Sequence, residues 1–184
     1  MVLRSDSSAA PTTTREFTYA HRGYVVTATV WNEAAAPDPR ILFDFNNVLN
    51  AYTMRELHAA AKTFPGAPYA IVSLLSSKGL NFAALGQRAA ETGECIVALT
   101  VKIRGNRVES ETGIKHSAMK RMHWAGVEHA IDDKPHEWHE PTKDGAVALP
   151  QIRLLMDASK KPVYLVQLST AAPAQMRRGC LSSV

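Results

Sequence analysis

The sequence predicts a doubly wound α/β domain: a mainly parallel five-stranded sheet with an additional N-terminal β-hairpin. Three observations lead there. Short, almost continuously apolar segments such as "ILFDF" (41–45) and "YAIVSLL" (69–75) suit strands of a sheet covered on both faces. They alternate with helical patterns of about 10–15 residues, the spacing of parallel strands joined by right-handed crossovers. The 184 residues, 46% of them hydrophobic, suffice for one domain with a substantial core.

The elements follow in order. Residues 1–14 and 171–184 are poor in large apolar residues and rich in Ser, Thr, Ala and Pro, so they read as a disordered tail and a flexible C-terminal tail around one domain at 15–170. Residues 16–33, "EFTYAHRGYVVTATVWNE", are β-branched and aromatic with a turn signal at Arg22-Gly23, hence the hairpin. A linker turn at 34–40 leads into a core at 40–168. After the first strand, Thr53 and Glu56 have the spacing of a capping box. Met54, Leu57, Ala61 and Phe64 then give one apolar helical face, stopped by Pro65-Gly66. The second strand is 69–75, and Phe82, Leu85 and Ala89 mark a second helix ended by Gly93. "CIVALTVKI" (95–103) is the third strand, and 100–110 can turn as a second hairpin at Arg104-Gly105-Asn106. Ile114, Ala118, Met122 and Ala125 mark a third helix ended by Gly126. The fourth strand is 127–131, and a helix around 150–158 precedes a fifth at 162–168. The short link between the first helix and second strand leaves no room for a large cap domain.

Composition narrows the function classes. No apolar run approaches the roughly 20 residues that span a bilayer, so no membrane partner is expected. Cys95 and Cys180 are far apart with no C-x-x-C, which argues for a reducing, cytoplasmic setting over a disulfide framework. The Ser/Thr-rich start with Arg4 and Arg15 leaves a short organelle-targeting segment as the alternative. The net charge of +4 supports a nucleic-acid partner only weakly. No G-x-G-x-x-G, G-x-x-x-x-G-K-[ST] or G-x-S-x-G occurs, against a dinucleotide fold, a P-loop enzyme and an α/β-hydrolase. "HEWH" at 136–139 is not the H-E-x-x-H zinc motif, so the five histidines between 116 and 139 read as surface residues with a zinc site as the alternative, and Trp124 and Trp138 as packing residues.

In such sheets ligands bind at the carboxyl ends of the strands, where strand order reverses. The first strand ends in Asp44-Phe45-Asn46. The second delivers Ser73, or Ser76 and Ser77 just after it. The third helix carries Lys115 in its first turn, with Lys120 as the alternate, and the fourth strand ends in Asp132-Asp133. Clustered oxygen ligands suit Mg²⁺, and a lysine with a hydroxyl suits a phosphate.

That ordered set resembles the haloacid dehalogenase-like phosphohydrolase superfamily over roughly residues 40–168. "ILFDFNNVL" looks like its first motif, "YAIVS" its second, Lys115 in "TGIKHSAMKRM" its third and "VEHAIDDKPHE" its fourth. The resemblance implies phosphoryl transfer with Asp44 as nucleophile, forming an aspartyl-phosphate. It implies Mg²⁺ held by Asp44, the backbone carbonyl of Asn46, and Asp132 or Asp133. Ser73 would bind a phosphoryl oxygen and Lys115 would balance charge. The chain departs from the pattern at Asn46, where the family's phosphatases have their acid/base Asp, and at Asn47, where the family favours Gly. Two readings result. One is a slow or inactive phosphohydrolase-like domain acting on a bulky or macromolecular phosphorylated substrate. The other is a catalytically retired binding or scaffold module.

Overall fold

Strands that are apolar on both faces must be covered twice, and the computed structural model does this with two helices on one side of the sheet and one on the other. Residues 12–103, 111–141, 147–148, 150–157 and 161–168 are described. β1 (Thr14–His21) and β2 (Tyr24–Trp31) form the hairpin. β3 (Ile41–Phe43) is followed by α1 (Met54–Ala61), β4 (Tyr69–Leu75) by α2 (Leu80–Thr92), and β5 (Ile96–Ile103) by α3 (Ile114–Arg121). β6 (His129–Asp132) ends at the acidic pair. β7 (Glu140–Pro141) and β8 (Val147–Ala148) make a separate small ribbon, and β9 (Gln151–Met156) and β10 (Val163–Gln167) follow.

The main sheet has the order β1-β2-β5-β4-β3-β6-β10-β9, which corrects the expected fold class. The sheet has eight strands, not five, and it is mixed, not mainly parallel. β3–β4, β3–β6 and β4–β5 are parallel, whereas β1–β2, β2–β5, β6–β10 and β9–β10 are antiparallel. Two local causes account for the difference. First, the hairpin is not an appendage: β2 pairs with β5 from Tyr24↔Ile103 to Trp31↔Ile96 and extends the sheet. Its tight turn has Arg22 at φ 49° and Gly23 at φ 91°, the two positive φ values that match a hairpin's twist. Second, the segment expected as a helix around 150–158 is strand β9. Gln151-Ile152-Arg153-Leu154 alternates with period two, and Arg153 reaches the carbonyl of Ala61 at 3.0 Å. The link from Met156 to Val163 is too short for a crossover helix, so β10 returns antiparallel, and it then meets β6 antiparallel as well.

The parallel segment β5-β4-β3-β6 positions the site. The chain steps outward from β3 to β4 to β5, then α3 carries it back across the sheet to β6 on the far side of β3. Strand order therefore reverses between β3 and β6. Leu57 and Ala61 of α1 pack with Phe43 and Ile131, and Leu85 and Ala89 of α2 with Ile71 and Ile96, on one face. Ile114 and Ala118 of α3 pack with Leu42, Val72 and Ala130 on the other. The Thr53–Glu56 capping box starts α1 as expected. Phe64 does not join the α1 face and is 72% exposed, because Lys62 takes a left-handed conformation (φ 58°) and ends the helix first. The turn expected at 104–106 and the two tails, apart from 12–14 at the start of β1, lie outside the described residues. No helix among the described residues is long and apolar enough to cross a membrane.

Candidate functional site

Register alone brings the two principal acids together. Leu42 pairs with Ala130 and Phe43 with Ile131, so Asp44 and Asp132 come level on neighbouring strands, and the Asp44 amide still donates to the Ile131 carbonyl at 2.9 Å. Both lie on the face that α3 covers. The second residue of α3, Lys115, reaches between them: its Nζ is 3.1 Å from Asp44 Oδ1 and 2.6 Å from Asp132 Oδ2. A short turn at 135–138 folds the chain back after β6 and adds Glu137, 3.0 Å from the same Nζ. Trp138 Nε1 donates to Asp132 Oδ2 at 2.9 Å, and the Lys134 amide to Oδ1 at 3.0 Å.

The group is out of water. Asp44, Lys115, Asp132 and Glu137 are 5%, 1%, 0% and 2% exposed. Burial disfavours every charge here, so the partners decide which charges survive. Burial alone would raise Asp132, but the Lys115 ammonium and the donors from Lys134 and Trp138 hold its carboxyl below the usual range. Burial likewise opposes the Lys115 charge, yet Asp132, Asp44 and Glu137 push its pKa well above the ordinary value. Asp44 goes the other way: burial and the adjacent Asp132 raise it well above the carboxylate range, Lys115 offsets only part of this, and Asp133 raises it further. Burial raises Glu137 too, with Lys115 again a partial offset. Asp132 and Lys115 form the ion pair, and Asp44 and Glu137 are acids in excess of the available cation.

The loop after β3 completes the rim. Residues 45–49 make a wide turn in which the Phe45 carbonyl accepts from the Asn50 amide at 3.1 Å. Asn46 is extended and half-buried, and its side chain joins none of the Lys115 contacts. Asn47 is left-handed at φ 65°, a region Asn tolerates better than most residues, and its side-chain amide donates to Asp133 Oδ2 at 3.1 Å. Asp133 is thereby turned toward Asp44.

Of the residues singled out in the sequence, Asp44, Lys115, Asp132 and Asp133 converge, with Asn46 beside them. Ser73 does not join the Lys115 group. It lies inside β4, level with Ala98 on the Ile71 face, opposite the face that carries Asp132. Its Oγ is fully buried and finds no hydrogen-bond partner among the described residues. Ser76 and Ser77 are exposed just past the strand end, and the alternate lysine, Lys120, is exposed near Glu140. Sequence reasoning missed Glu137 and the hydrogen bond from Trp138. The available signal was an acid and an indole five and six residues past the first acid of the pair, within reach of one short turn.

No family model, no curated protein and no solved structure matches the chain. The site therefore stands on its own geometry. Asp44, Asp132 and Asp133 each offer a carboxylate oxygen, and these lie within 4.8 Å of one another. Octahedral Mg²⁺ with oxygens at about 2.0–2.1 Å spaces its ligands over that range. A hard divalent cation would also neutralise the excess acid. The donor set fits.

Proposed function

We propose that the protein is a phosphohydrolase-like domain of the haloacid dehalogenase-like type, with Asp44 accepting a phosphoryl group from a bulky phosphorylated substrate. The observation that carries this reading is a buried strand-end carboxylate with a buried lysine at 3.1 Å and two further carboxylates within ligand distance, where a bound cation would keep Asp44 ionised for attack. Asp44, Asp133, Asp132 and the Asn46 carbonyl would hold Mg²⁺, which supplies charge neutralisation at the transferring group. Lys115 occupies Oδ1 of Asp44, which leaves Oδ2 to attack. The P–Oδ2 bond forms as the bond to the leaving oxygen breaks, and that oxygen departs with the electron pair. Asn47 suits the position where the family favours Gly, because its backbone adopts the positive φ that a glycine would supply. Ser76 and Ser77 are the hydroxyls at the open rim.

Asn46 sets the rate. An amide cannot protonate a leaving group or deprotonate water, and general acid–base help is worth about 10²–10⁴-fold. The test is Asn46→Asp. With Mg²⁺ and aryl phosphates, turnover is expected to rise by about 10²-fold or more over the parent chain, and to vanish in Asn46→Asp/Asp44→Asn. An unchanged background in folded Asn46→Asp would instead favour the binding or scaffold module.

A further inference from the structure

α3 divides its side chains between two surfaces. Lys115 turns inward to Asp44 and Asp132, whereas Ser117, Lys120 and Arg121 face a cleft of about 610 Å³ whose lining is completed by Arg15, Phe17 and His123. Its lining among the described residues includes three full cations and no carboxylate. Glu33 engages Arg15 at 2.8 Å. Lys120 meets Glu140 only at 3.5 Å, with both side chains about half-exposed or more, a contact worth little in water. Arg121 lies 4.6 Å over the Tyr19 ring and pairs with no carboxylate among the described residues. Two cations are thus available to an anion.

Ser117 adds directionality. The Thr112 carbonyl, 2.8 Å from His21 Nε2, can only accept, so that nitrogen carries the ring proton. His21 Nδ1 is then an acceptor, and the Ser117 hydroxyl 3.2 Å away donates to it. With its own proton committed, Ser117 Oγ presents lone pairs and asks for a donor. We propose that this cleft binds a phosphate monoester that also carries a hydroxyl, with the phosphate on Arg121 and Lys120 and the ligand hydroxyl donating to Ser117 Oγ. The site does not depend on Asp44 or on a metal.

The experiment is calorimetric titration of the full chain with glycerol 3-phosphate and with inorganic phosphate, in EDTA so that the acidic site cannot contribute through a cation. Both are expected to bind, glycerol 3-phosphate more tightly. Lys120→Gln/Arg121→Gln, which alters only exposed side chains, should weaken both about tenfold or more, as loss of charge-assisted hydrogen bonds does. Ser117→Ala should reduce glycerol 3-phosphate to the affinity of phosphate and leave phosphate unchanged. Asp44→Asn should alter neither, which separates this site from the phosphoryl-transfer reading. The proposal is overturned if neither ligand binds, if the double variant binds as the parent does, or if Lys62→Gln, at an exposed lysine outside the cleft, weakens binding equally.

Discussion

Lys115 is the residue on which the site's stability rests, since one ammonium faces Asp44, Asp132 and Glu137 with 1% of its surface exposed. Lys115→Met removes the charge and keeps the stem, leaving Asp132 ionised or forced to take up a proton in a dry site. The expected loss is about 3–5 kcal/mol in urea unfolding, the usual cost of breaking a buried pair from one side. His58 gives a pH signature away from the site. It lies on the buried face of α1, edge-on to Phe43 at 5.5 Å, with Nδ1 2.7 Å from Thr63 Oγ1. Burial lowers its pKa from 6.5, so the folded chain keeps it neutral. As pH falls through about 6.5 only the unfolded chain takes up the proton, and stability declines until the lower folded value is reached. His21 and His129 are lowered in the same direction, again mainly by burial. His58→Gln should make the slope of stability against pH below 6.5 shallower, and an unchanged slope would show that His58 titrates normally.

Among the elements, those with explicit punctuation were legible. α1 has its capping box, α2 ends at Gly93 with φ 74°, and the hairpin turns at Arg22-Gly23. β9 was not legible, because Ile152, Leu154 and Leu155 also satisfy a helical spacing, and the strand gains its identity from pairing with β10. Asn32 shows another feature hidden in sequence. It sits at φ 55° after β2, and its side-chain amide donates to the carbonyls of Ala89 at 3.0 Å and Glu94 at 2.9 Å, tying the hairpin to the end of α2. Asn32→Ala should cost about 1–3 kcal/mol, since it strands the Glu94 carbonyl, leaves the Ala89 carbonyl only the Gly93 amide, and puts Ala in a left-handed conformation. Thermal unfolding measures it, and a change under about 0.3 kcal/mol would mean that the tie does not bear on stability.

At the scale of the whole molecule, the alternation of strand and helix pointed to parallel pairing, which only the segment β5-β4-β3-β6 shows, and it put Asp44 and Asp132 at strand ends on one rim without locating the reversal between β3 and β6. It could not reveal that both flanks of that segment are antiparallel, since an edge pairing depends on which open strand a hairpin meets. Nor could it supply Glu137, which reaches Lys115 by a turn and not by strand register. The topology gathers four carboxylates near one lysine at the point of reversal, and that concentration of acid is the basis for a cation-assisted nucleophile at Asp44. The direct measurement uses a phosphoryl donor whose leaving group needs no proton. The full chain is incubated with acetyl phosphate and Mg²⁺, reduced with borohydride and mapped by mass spectrometry. Because Asn46 cannot activate water, the account predicts that an aspartyl-phosphate accumulates at Asp44, is lost in EDTA, and fails to build up in Asn46→Asp. No modification at Asp44, or the same modification with EDTA present, would contradict it.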